Sequence, residues 1–200
     1  MIKKSLHILI CLFVFLNVKA SSEIDSLKVL FDKEKGDYKK MELLLSISNM
    51  CEVNDIVDYA QPLITLCNKL LILEKDSLKI TQIKSVKAES YNNLGYMYKI
   101  QGISEKAIEN LYKSIELSEQ IGEARLMADT YNNLGSAHQQ QADSESAIIF
   151  FLKSLSIYDS INDTEGLALT YNNLGYQYEI KKEYENLLLI SKKVKLYGKN

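Results

Sequence analysis

The chain spells Tyr-Asn-Asn-Leu-Gly three times, at Tyr91–Gly95, Tyr131–Gly135 and Tyr171–Gly175. The two intervals are equal, 131 − 91 = 40 and 171 − 131 = 40 residues. A fixed period of this length comes from stacked copies of one supersecondary unit, none of which buries its apolar face alone. The pattern points to binding rather than catalysis.

The unit reads as a helix pair. Tyr131, Leu134, Gly135 and His138 fall at i, i+3, i+4 and i+7, one stripe of an α-helix. Tyr91, Leu94, Gly95 and Tyr98 repeat it, as do Tyr171, Leu174, Gly175 and Tyr178. Polar turns follow at Gly102-Ile103-Ser104 and Ala142-Asp143-Ser144, and a second helical pattern starts near Ala107 and Ala147. That pattern carries Leu111 and Ile115 in one copy, Phe151 and Leu155 in the next. Only 8 Gly and 1 Pro occur in 200 residues, which suits an all-α chain. Glycine within a helix costs about 1 kcal/mol relative to alanine, so Gly95, Gly135 and Gly175 need a compensating gain. Close approach of the second helix is the expected gain, with Ala107 and Ala147 opposite.

These residues resemble the tetratricopeptide repeat. Its order of aromatic, Leu-Gly, Tyr, Ala and an aromatic maps onto Tyr91, Leu94, Gly95, Tyr98, Ala107 and Leu111. It maps equally onto Tyr131, Leu134, Gly135, His138, Ala147 and Phe151. The resemblance implies an α-solenoid of stacked antiparallel helix pairs wound into a right-handed superhelix. Units are expected near 77–120, 121–160 and 161–200. The family period is about 34, so longer helices and slightly longer connectors, Gln120–Glu123 and Ser160–Glu165, are expected to absorb the excess. Glu119 and Asp159 stand where the family places proline. The long repeat is similar to that of kinesin light chains and of sensor regions in exported bacterial signalling proteins.

The third copy departs from the pattern, with Leu187 for the small alanine and Ser191 for the aromatic, before a basic tail from Lys192 to Asn200. An incomplete last unit without a polar cap is expected to promote self-association. Residues 21–76 read as a divergent helical region holding a degenerate pair at 37–50 and 55–72, with Pro62 starting or kinking a helix. A long helix from about Ser77 to Gln101 then leads into the first clear unit.

Residues 1–20 have the order of a secretory signal. Lys3 and Lys4 precede the apolar stretch Leu6–Leu16, and Val18-Lys19-Ala20 places small residues ahead of a cut before Ser21. The alternative is a retained membrane anchor, but the stretch is shorter than the ~20 residues that span a bilayer. Removal takes away three lysines, leaving 24 − 3 = 21 basic against 26 acidic residues, a net charge of −5. An exported, mildly acidic chain without a further membrane span is expected, and nucleic acid is not an expected partner. Cys51 and Cys67 either pair in that compartment or serve as small apolar core residues; the second is the expectation.

With the core stripe set at zero, Asn93 points about 200° away, at 100° per residue. In a tetratricopeptide superhelix that direction is the concave face. Asn93, Asn133 and Asn173 therefore form a candidate amide ladder, flanked by Asn92, Asn132 and Asn172. Such amides suit the backbone of an extended peptide. The resemblance to kinesin light chains and bacterial peptide-pheromone receptors, where similar asparagines clamp peptides, implies that role. Hydrogen bonding between adjacent helices is the competing role. Tyr96 and Tyr176 are candidate anchors, beside Lys99, Ile100, Asp129, Ser136, Gln139, Gln140, Glu179 and Ile180. Lys99 is the one cation in that set, opposed by Glu89, Asp129 and Glu179, so an internal or weakly basic segment is a better ligand than a free C-terminus. His138 is expected to take the place of a stripe tyrosine.

No phosphate loop, Gly-x-Ser-x-Gly elbow, His-Glu-x-x-His pair or metal-ligand spacing occurs. The expectation is a module without catalytic residues, metal or cofactor that binds a protein or peptide. The alternative is an extracytoplasmic sensory fragment of a receptor whose output domain lies elsewhere.

Overall fold

The computed structural model describes residues 22–180 together with Asn186 and Ile190. The signal-like segment, the basic tail, Leu187 and Ser191 lie outside the described residues. A helix over residues 22–33, α1, precedes α2 (Asp37–Met50). A 3₁₀ turn at Val53–Asp55 leads into α3 (Ile56–Leu73), followed by α4 (Ser77–Ile100), α5 (Ser104–Ile121), α6 (Ala124–Gln140), α7 (Ser144–Ser160) and α8 (Thr164–Ile180). Among the described residues there is no strand. Pro62 lies inside α3 and does not start it.

Consecutive helices pack as antiparallel neighbours from α2 through α8. In addition α2 touches α4, α4 touches α6 and α6 touches α8, while no comparable contact joins α3, α5 and α7. Even-numbered helices therefore crowd into one layer and odd-numbered helices splay apart in the other. That difference curves the stack and makes the even layer its inner face.

Close approach within each pair is real; Ala107 does face Gly95 through its carbonyl, but the nearest atoms belong to the large residue one turn further on. A Cβ added to Gly95 would lie 2.5 Å from Leu111 Cγ and 3.2 Å from the Ala107 carbonyl oxygen. At Gly135 it would lie 2.6 Å from the Phe151 ring. The large residue one turn beyond each alanine fills the notch, so the helix glycine is offset by burying Leu111 and Phe151 completely. Gly166, outside the motif, does the same for the ring of the buried Tyr158.

The turns repeat as faithfully as the helices. Gly102 and Ala142 occupy equivalent positions at φ 74° and 58°, and Gly122 and Asn162 at φ 72° and 57°. Each lets the next amide reach back five residues, as in Ile103 to Tyr98 O (2.8 Å) and Asp143 to His138 O (3.0 Å). The same closure joins Glu123 to Ser118 O (3.0 Å) and Asp163 to Tyr158 O (2.9 Å). These are Schellman closures, which satisfy the last helical carbonyls. Only Gly122 and Glu123 separate α5 from α6, so the extra period length sits in the helices rather than in a longer connector.

Cys51 and Cys67 are both free thiols. Burial pushes Cys67 up to about 12, which suits a core residue. The segment Val53–Leu73 is long and apolar enough, by length and composition, to cross a membrane, unlike the expectation that no later segment qualifies. Here its residues Ala60, Leu63, Ile64, Cys67 and Leu70 are buried, and the helix packs between α2 and α4.

Candidate functional site

The site is built on the inner layer. On α4, α6 and α8 the Leu-Gly pairs 94–95, 134–135 and 174–175 are buried, which orients the preceding asparagines sideways along the layer. Asn93, Asn133 and Asn173 are half-buried and reach the helix before them. Asn133 Nδ2 donates to Asn92 Oδ1 at 3.1 Å, and Asn173 Nδ2 donates to Asn132 Oδ1 at 2.9 Å. Asn93 Nδ2 donates to Asn49 Oδ1 at 2.6 Å. The three amides recur along the inner layer with their nitrogens committed to joining neighbouring repeats, which is the competing role. Among the described residues the oxygens of Asn93 and Asn173 have no partner, whereas Asn133 Oδ1 accepts from Lys99 Nζ at 3.3 Å. Asn132 is buried, Asn92 half-buried and Asn172 exposed.

Between these amides the inner layer shows large apolar side chains. Tyr96, Ile100, Tyr176 and Ile180 are exposed, whereas the middle repeat carries Ser136 and Gln140 at the matching places. The surface therefore has an aromatic and aliphatic patch at each end and a polar centre.

The charged residues depart from the expected arrangement. Lys99 is only 9% exposed and pairs with no carboxylate among the described residues. Its ammonium lies 4.4 Å from the centroid of the Tyr96 ring. Burial holds its pKa down at about 8. Asp129 turns away, accepting from the Tyr158 hydroxyl, and burial raises its carboxyl above the usual range. Glu89 Oε1 accepts from Asn49 Nδ2 at 2.7 Å. None of these acids opposes Lys99. His138 does take the tyrosine's place, stacked 5.2 Å from Phe150, with Nδ1 3.2 Å from Asp143 Oδ2.

Sequence reasoning missed Asn49, whose helix carries no Tyr-Asn-Asn signature. It also missed the buried hydroxyl pairs Ser114–Thr130 (3.2 Å) and Ser154–Thr170 (3.4 Å) between successive units. Both pairs recur at the interval of 40 and were visible as such. Among the described residues no group of three His, Cys, Asp or Glu side chains could hold a metal ion.

Residues 87–160 match the family model of the tetratricopeptide repeat. No curated protein matches the chain. Among solved structures, aspartyl phosphate phosphatase F from Bacillus subtilis is similar with a TM-score of 0.76 at 16% identity, over 90% of this chain and 49% of that one. A Rap protein complexed with competence and sporulation factor gives a TM-score of 0.69 at 19% identity, over 93% and 51%. A putative kinesin light chain with nearly identical TPR-like repeats from Podospora anserina gives 0.63 at 12% identity, over 92% and 89%. This chain spans about half the length of the first two. At such identities the likeness establishes the fold. The motif, the stacked helix pairs and the matched segment agree: residues 87–160 carry tetratricopeptide repeats within an all-α helical-repeat fold.

Proposed function

We propose that the chain is a non-catalytic interaction module that holds an extended protein segment along the inner layer of α4, α6 and α8. The supporting observation is the exposure of Tyr96, Ile100, Tyr176 and Ile180 on one layer, beside the unpartnered amide oxygens of Asn93 and Asn173. The carboxamide oxygens accept from ligand backbone N–H groups, and the tyrosines supply anchoring area. Two or three such hydrogen bonds contribute about 1–4 kcal/mol, too little alone for useful affinity. Side-chain burial on Tyr96 and Tyr176 supplies the rest. With neighbouring inner helices ~9 Å apart, the two tyrosines are about 18 Å apart, or roughly six extended residues. The similar Rap structure, complexed with competence and sporulation factor, supports a ligand-holding role for such a stack.

The test is selection of displayed 12-residue peptides on the protein, followed by titration of the selected peptides against Tyr96→Ser with Tyr176→Ser. The double variant should keep its helical circular dichroism and bind at least tenfold more weakly. Unchanged binding would place the ligand on another surface. The charged, apolar and small-residue order of residues 1–20 supports export. Mass determination of the chain recovered outside the cytoplasm should give a first residue of Ser21.

A further inference from the structure

We infer that the cavity between α2 and α4 is a receptor for a guanidinium group, the side chain of an arginine in the segment that lies along the inner layer. The inference rests on the groove reading above and adds the chemistry of one ligand residue. The cavity has a volume of about 390 Å³ and is walled by Ser48, Asn49, Glu89, Asn93 and Tyr96, with Val53 and Ile56 on its apolar side.

Three features of the wall converge on a cationic donor. Glu89 is half-buried and has no cationic partner among the described residues. One of its oxygens takes the Asn49 amide at 2.7 Å, which fixes the carboxylate and leaves the second oxygen open. The Asn93 nitrogen is spent on Asn49 Oδ1, so its open atom is again an acceptor. The Ser48 hydroxyl is buried, 2% exposed at the residue, and has no hydrogen-bond partner among the described residues, although a helical serine ordinarily returns its proton to the carbonyl one turn back.

A wall of one fixed carboxylate and neutral acceptors attracts a donor-rich cation and repels an anion. The Lys99 ammonium lies over the Tyr96 ring and donates to Asn133 Oδ1, and among the described residues it forms no ion pair with Glu89. Guanidinium suits the set better than ammonium, because its planar fork offers five N–H donors in fixed directions to several acceptors at once. An apolar side formed by Val53 and Ile56 covers the methylene stem. The equivalent places one unit on do not rebuild the site: Asp129 stands where Glu89 does, but is taken by Tyr158.

The experiment uses the mature chain from Ser21 and two probes, Nα-acetyl-arginine amide and its citrulline counterpart, followed through the side-chain amide NMR signals of Asn49 and Asn93. The arginine probe should shift both signals with saturation in the millimolar range, and the citrulline probe should bind at least tenfold more weakly. Glu89→Gln, which keeps the hydrogen bond from Asn49, should abolish that preference while its spectrum shows a native fold. In groove-binding peptides, replacing one arginine by citrulline should cost tenfold in the native chain and nothing in Glu89→Gln. No response to the arginine probe, equal response to both probes, or a preference that survives in Glu89→Gln would overturn the inference. Peptides that bind through Tyr96 and Tyr176 without any arginine preference would leave the groove reading intact and end this one. A probe response without peptide binding would keep the cavity and end the groove reading.

Discussion

The carboxamide nitrogen of Asn133 lies 3.1 Å from the carboxamide oxygen of Asn92, one repeat earlier, so the motif asparagines tie the units to each other. Each donates across an inter-repeat seam, where the stability of a solenoid resides. Asn133→Ala should destabilise by about 1 kcal/mol, and the triple change at Asn93, Asn133 and Asn173 by about 2–4 kcal/mol, read from urea unfolding. The triple change should also broaden the transition, because seam coupling makes the array unfold as one body. A melting curve unaltered by the triple change would show that these bonds carry no net stability.

Gly135 and Phe151 leave no room for a side chain between them. Gly135→Ala should lower stability by about 1–3 kcal/mol, since the added methyl would meet the ring at 2.6 Å. Gly135→Leu should prevent native packing of α6 on α7. Phe151→Ala opens the space, so the double variant Gly135→Ala with Phe151→Ala should lose less than the sum of the two single changes, and thermal unfolding of the four proteins checks the coupling.

Ala142 holds a left-handed backbone at φ 58° where the preceding unit uses Gly102 at φ 74°. Ala142→Gly should stabilise by about 0.5–1 kcal/mol, and Gly102→Ala should cost a similar amount, with nothing within 4 Å to add a steric term. Opposite shifts of the urea midpoint are the expected result.

Lys99 titrates near 8 when folded against 10.5 ordinarily, because burial disfavours its charge. Between those values the unfolded chain binds more protons, so this residue's contribution to stability rises with pH across that window. Below pH 8 both states are protonated and the full burial cost remains. Lys99→Met should therefore be more stable at pH 7, by up to about 3 kcal/mol, with the difference shrinking toward pH 10.5. Urea unfolding of both proteins at pH 7 and pH 10 gives the sign. A difference that grows with pH would contradict it.

Gln177 occupies the position of Met97 and Ala137, is fully buried, and among the described residues has neither amide atom hydrogen-bonded. Gln177→Met should stabilise by about 1–3 kcal/mol, because desolvating an unsatisfied amide is costly and methionine has nearly the same shape. Differential scanning calorimetry checks this directly.

Tyr91, Tyr131 and Tyr171 with their Leu-Gly partners carry the helix period, and their equal spacing requires identical units, so stacked helix pairs were legible without coordinates. The need for close packing at Gly95 and Gly135 was legible for the same reason, since glycine inside a helix is a local loss that only a neighbour offsets. The identity of that neighbour was not. Leu111 and Phe151 fill the notch because of how far the second helix slides along the first, and no local pattern encodes that distance.

The asparagines divide in the same way. Their direction away from the core follows from 100° per residue along one helix. Their bonding to Asn49, Asn92 and Asn132 depends on where the preceding inner helix lies, and so does the burial of Lys99 and the seclusion of Glu89. Sequence determined the unit, its period and the faces of each helix, because these are set by interactions a few residues apart. Tertiary structure alone decided which polar atoms meet and which are left open, because partners 16 to 44 residues apart are brought together only by the stack.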